Sequence, residues 1–110
     1  RYRNAEGELH VVALDPALED RIRAGFEHTD RGLFIRMSPQ GVEATCKAIN
    51  AEIGKLTARS HTPIVLVSPQ IRAAVKRLTE NHLPHLIVLS FNEVTRDTKI
   101  VTLGMVADKG

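Results

Sequence analysis

The sequence predicts an α/β domain: a small, mostly parallel sheet of about four strands with three helices packed on it, and the last strand at an edge. Three observations carry that prediction. Short runs rich in β-branched residues alternate with longer stretches of helical periodicity. The junctions between them repeat one pattern, a capping residue followed by proline, at Asp15-Pro16, Ser38-Pro39 and Ser68-Pro69. The final apolar segment, Lys99 to Val106, alternates as an edge strand does.

After a polar lead-in over residues 1–8, Leu9 to Leu14 reads as a strand that stops at Asp15-Pro16. Asp15 caps the next helix and Pro16 fills its first position, where no amide is needed. Leu18, Ile22 and Phe26 recur at spacings of four, a single helical stripe, until Gly25 and the polar stretch from His28 to Arg31 end it. Gly32 to Met37 then reads as a brief edge strand. A second helix starts after Ser38-Pro39 and runs to about Arg59, with Val42, Cys46, Ile49, Ile53 and Leu56 along one face. That heptad-like spacing fits either a core stripe or a dimerisation seam. The core stripe is favoured because the repeat is too short for a coiled coil. Ile64 to Val67 is a buried strand, and the helix from Pro69 carries Ile71, Ala74, Val75 and Leu78 on one face. Ser68 is expected to bond the free amides of its first turn. His82-Leu83-Pro84 stops this helix, Leu86 to Leu89 forms a strand, and Ser90 to Asp97 is a polar loop of undetermined path to the last strand. Residues 9–110 are therefore read as a single domain, and the N-terminus, Arg1-Tyr2-Arg3-Asn4, as a cut inside a longer protein.

Composition narrows the function classes. Fifteen basic residues against 13 acidic ones give a net charge of +2, too little field to make nucleic acid the default partner. With no tryptophan, one tyrosine and three phenylalanines, the chain also lacks the stacking platforms of single-strand binders. Its longest apolar runs fall far short of the ~20 residues that cross a bilayer. A lone cysteine, Cys46, forms no internal disulfide and fits a buried thiol in a reducing compartment, the cytosol.

Catalytic chemistry is not indicated. The glycines are scattered and match neither a dinucleotide nor a P-loop spacing. Ser68, Ser90 and Cys46 are the candidate nucleophiles, but neither serine lies in a Gly-x-Ser-x-Gly turn, and Cys46 sits on an apolar stripe where a thiol stays protonated. His82 and His85 are three residues apart, yet Pro84 breaks the helix that would align them, so no metal and no cofactor are predicted. The candidate binding residues are Arg72, one turn inside the third helix, and Asn92 with Glu93, beyond the carboxyl end of a parallel strand, where such folds bind ligands. The plainer reading makes Arg72 a solvated cation and pairs Glu93 with Arg96.

The stretch "TPIVLVSPQIRAAVKRLTENHLPHLIVLSFNEV", residues 62–94, resembles the end of the cytoplasmic region of the type III secretion export-gate proteins, the FlhA family of flagellar assembly and its injectisome relatives. Ser68-Pro69, Ile71-Arg72, Leu83-Pro84 and Val88-Leu89-Ser90-Phe91-Asn92-Glu93 carry the resemblance, and Leu14-Asp15-Pro16 with Leu18-Glu19 is similar to an earlier step of the same pattern. Ile87 departs from it where many relatives place proline, and Thr95-Arg96-Asp97 lacks a proline that often follows. Asn92-Glu93 and the tail from Val101 to Val106 lean towards the flagellar branch. The resemblance implies a non-enzymatic role as the last cytoplasmic subdomain of an inner-membrane protein that reaches the membrane only through its N-terminal part. It also implies ring assembly with other copies and docking of export chaperones with cargo and of soluble export components. The alternative is a small α/β enzyme or anion-binding domain that uses Ser68, Arg72, Asn92 and Glu93.

Overall fold

A computed structural model describes residues 7–107. Strand β1 (Glu8–Leu14) leads into helix α1 (Pro16–Ala24), followed by strands β2 (Phe26–Thr29) and β3 (Gly32–Ile35) and helix α2 (Pro39–Thr57). Strand β4 (Ile64–Val67), helix α3 (Arg72–Thr79), strand β5 (Ile87–Ser90) and strand β6 (Lys99–Val106) complete the order. Short 3-10 turns at Pro69–Ile71 and Phe91–Glu93 follow β4 and β5. The main sheet has the order β5-β4-β1-β6 and every pairing in it is parallel, which settles the direction of the last strand and places it at an edge.

The helices share one face of this sheet. Leu18 and Ile22 of α1, Cys46, Ile49, Ile53 and Leu56 of α2, and Ala74, Val75 and Leu78 of α3 bury against Val12, Leu14, Val65, Val67, Val88 and Val106. Each fully buried aliphatic side chain contributes roughly 1.5–3 kcal/mol through the surface it removes from water. The stripe on α2 is spent inside the domain, so it is a core face and not a dimerisation seam. Cys46 lies within it, its thiol donating to the Leu78 carbonyl at 3.5 Å, and burial pushes that thiol up from its ordinary pKa.

A smaller cluster of Leu9, Val11, Ile64 and Leu66 lies on the opposite face, with Ile87, Leu89 and Val94 packed against it. Val94 belongs to the connection from β5 to β6, which passes behind β4 and β1 to reach the far edge. This connection makes a crossover without a helix, and it explains how a polar loop of eight residues joins parallel strands at opposite sides of the sheet.

The structure corrects the sequence reading at three places. Phe26 does not extend the stripe of α1: the helix ends at Ala24, and Phe26 opens a hairpin in which β2 pairs antiparallel with β3. Gly25 permits that turn-off, since a Cβ there would stand 2.5 Å from Met37 Cγ. Residues 32–35 consequently belong to this two-stranded sheet and not to an edge of the main one. Along β6, the simple alternation is broken by a register shift between Val11 and Val12, which pair with Thr102 and Gly104. Met105 is thereby 53 % exposed, not part of a continuous apolar face.

Candidate functional site

The candidate residues gather at the carboxyl edge of the main sheet, where Ser68 follows β4 and Ser90 ends β5. Asp15 and Ser38 behave as helix caps: Asp15 Oδ1 accepts from the Ala17 amide at 3.4 Å and Ser38 Oγ from the Gly41 amide at 3.0 Å. Ser68 does not. No side-chain cap forms there, and the chain passes through a 3-10 turn before α3 begins at Arg72. Instead the Ser68 hydroxyl donates to Glu19 Oε1 at 2.6 Å, and the Ser68 amide donates to Glu19 Oε2 at 3.1 Å. Helix α1 packs beside this corner and brings a carboxylate to it, which orients the Ser68 hydroxyl towards Glu19 through a charge-assisted bond.

Ser90 repeats the arrangement one strand away. Its amide donates to Glu93 Oε1 at 2.9 Å and its side-chain oxygen accepts from the Glu93 amide, a capping box around the turn Phe91–Glu93, while its hydroxyl also donates to Glu93 Oε1 at 3.0 Å. Asn92 Oδ1 also accepts from the Ser90 hydroxyl. Arg72 Nε then donates to Glu93 Oε1 at 2.5 Å, across from the start of α3. All three predicted residues are therefore brought together, with two changes of role. Arg72 is engaged by a carboxylate, and among the described residues the ion pair of Glu93 is with Arg72, not Arg96.

The electrostatics follow from the contacts. The Ser90 amide first, then the Ser90 hydroxyl and the Arg72 guanidinium, hold the Glu93 carboxyl below the usual glutamate range against a partial cost of desolvation. The pair is open to water, with Arg72 and Glu93 side chains 43 % and 37 % exposed, so it fixes geometry more than it stabilises. Two carboxylates thus lie beyond β4 and β5 and take the amides and hydroxyls of Ser68 and Ser90. Among the described residues no buried side-chain nitrogen or oxygen lacks a partner, and no group of three metal-ligating side chains forms.

Sequence reasoning missed Glu19 and the role of Ser90. The second was findable, because Ser90-Phe91-Asn92-Glu93 has the serine and glutamate spacing of a capping box. Glu19 had no local signal, since its partner lies 49 residues away.

Comparison with known proteins adds the context that geometry alone lacks. The FHIPEP family matches residues 1–99. The flagellar biosynthesis protein FlhA of Bacillus subtilis is 33 % identical over 98 residues, which cover 89 % of this chain and 14 % of that protein. Among solved structures, the nonameric SctV-C of EPEC superposes with a TM-score of 0.81 at 25 % identity, over 96 % of this chain and 31 % of that one. CdsV in the Chlamydia pneumoniae complex of CdsV and CdsO gives 0.78 at 26 % identity, over 93 % and 30 %. The chain therefore spans a small part of the relatives it matches. Family match, strand order and the motifs at residues 62–94 agree: this chain belongs to the FHIPEP family, the export-gate family of flagellar and type III secretion.

Proposed function

We propose that this chain is the last cytoplasmic subdomain of a flagellar or type III export gate, and that it acts without catalysis, through ring assembly and docking. In this reading its parent meets other copies of itself and receives chaperones with cargo and soluble export components at the cytoplasmic face of the inner membrane. The family match over residues 1–99 carries the proposal. The nonameric state of SctV-C and the complex of CdsV with CdsO support assembly and a protein partner by analogy. The carboxyl edge of the sheet supports it from within, because the Ser68 and Ser90 amides and hydroxyls there already bond Glu19 and Glu93. Among the described residues no helix is long and apolar enough to cross a membrane, so membrane attachment falls to other parts of the parent. Asn92-Glu93 and residues 101–106 favour the flagellar branch, and Arg72, Asn92 and Glu93 form a surface turn available to a partner.

The test uses the parent's whole cytoplasmic region, with and without residues 9–110. Purified export chaperones with cargo, and a soluble export component, are captured on each, and the size of the assembly is read by light scattering. The proposal expects capture and higher-order assembly to weaken when the segment is removed while the remainder stays folded. Unchanged capture and unchanged assembly would overturn it.

A further inference from the structure

The turn between α2 and β4 holds an arrangement unrelated to the carboxyl edge. The His61 amide donates to the Leu56 carbonyl at 2.9 Å and the Ser60 amide to the Thr57 carbonyl at 3.0 Å, the paired bonds of a Schellman turn. Such a turn needs a left-handed residue, and glycine is the usual choice. Here Ser60 takes the position at φ 62°, the sole non-glycine with positive φ among the described residues. The side chain makes that conformation unfavourable, and it persists only where its surroundings hold it. The next residue supplies the hold: the His61 ring stacks on the His10 ring of β1, centroids 3.9 Å apart and planes 10° from parallel. Both residues are half-buried, and His10 Nε2 lies 3.8 Å from Glu8 Oε1.

We propose that the His10–His61 stack is an acid-sensitive clasp that pins the α2–β4 turn to β1. Histidine as a residue type changes charge between about pH 5 and 8. The Glu8 carboxylate offsets one added charge. A second sets two imidazolium rings face to face at a separation where like charges repel appreciably. The ionisable groups on the elements packed around the pair do not relieve it. Glu52 and Lys55 of α2 bond each other at 2.8 Å, Arg59 in the turn is a cation, and Lys99 of β6 is another, opposite Glu8 in register. When both rings are charged the stack parts, the strained Ser60 turn loses its support, and the amide of His61 is released from Leu56.

Hydrogen exchange at the amide of residue 61, followed by NMR on the whole 110-residue chain, tests this at about pH 8 and about pH 5, the two ends of the histidine range. After correction for the intrinsic pH dependence of exchange, protection in the unmodified chain should fall by about tenfold or more on acidification, given repulsion at this separation. His61→Phe and His10→Phe each keep a stacked ring without a second charge, and either should hold its protection. His82 and His85 flank a separate groove beside Pro63, so His82→Gln should leave the acid response intact. Unaltered protection in the unmodified chain overturns the proposal by itself. So does an equal fall in both phenylalanine variants, or loss of the response in His82→Gln.

Discussion

Ser68, just past β4, and Ser90, the last residue of the neighbouring β5, solve the same problem with partners at opposite distances. At each, the serine amide and hydroxyl both donate to one glutamate carboxylate. Ser90 finds its acceptor three residues on, in a turn open to solvent. Ser68 finds its acceptor 49 residues back, on a different helix, so its corner exists only once α1 has packed. The difference teaches that identical hydrogen-bond chemistry belongs to local structure at one strand end and to tertiary structure at the other. The Ser68 corner should accordingly matter for the stability of the whole domain, and the Ser90 corner mainly for its own turn.

The apolar residues beneath each corner give the largest contrast. Ile71, 1 % exposed below the Ser68 corner, should cost about 2–5 kcal/mol when changed to alanine, whereas Phe91, 52 % exposed at the Ser90 corner, should stay within about 0.5 kcal/mol. Urea denaturation of Ile71→Ala and Phe91→Ala measures both. The acceptors come next. Glu19→Ala strands a half-buried amide and hydroxyl and should destabilise by about 1–3 kcal/mol, visible as a lower midpoint in thermal unfolding. Glu93→Ala removes a capping box and an exposed ion pair, and should cost less, under about 1 kcal/mol. Equal losses for the two glutamates would erase the distinction.

Acid should sharpen it further, with the smallest effect of all. The folded state holds the Glu93 carboxyl below its ordinary value, so its contribution is fully present above about pH 4.3 and is lost as the pH falls through the lower folded value. A chemical-shift titration of the Glu93 carboxyl should show a midpoint below that of an unstructured glutamate. In Arg72→Gln the midpoint should move only part of the way back, because the Ser90 amide is the larger influence.

The same division between local and remote partners explains how much could be read from the chain alone. The order of the main strands and helices was legible because each has its own periodicity and three of the junctions carry a capping residue with proline. Asp15 and Ser38 act as caps as the sequence suggests, since a cap needs only its own next turn. Ser68 sits in the same local pattern and fails to cap, and its hydroxyl turns to a carboxylate that arrives from α1. Phe26 continued a spacing of four and was assigned to the helix, yet β2 and β3 offered it a hairpin partner at Ile35. At the candidate site, Arg72 and Glu93 meet in the structure, but their pairing spans 21 residues and left no trace in spacing.

Because the chain's own glutamates close the strand ends, Ser68, Arg72 and Ser90 should take up no inorganic anion. Titration of inorganic phosphate into the uniformly labelled chain, followed at the amides of Ser68, Arg72 and Ser90, tests it directly. The account predicts that these signals stay in place up to millimolar phosphate. A saturable shift centred on these amides, with Glu19 or Glu93 displaced from its serine, would contradict it.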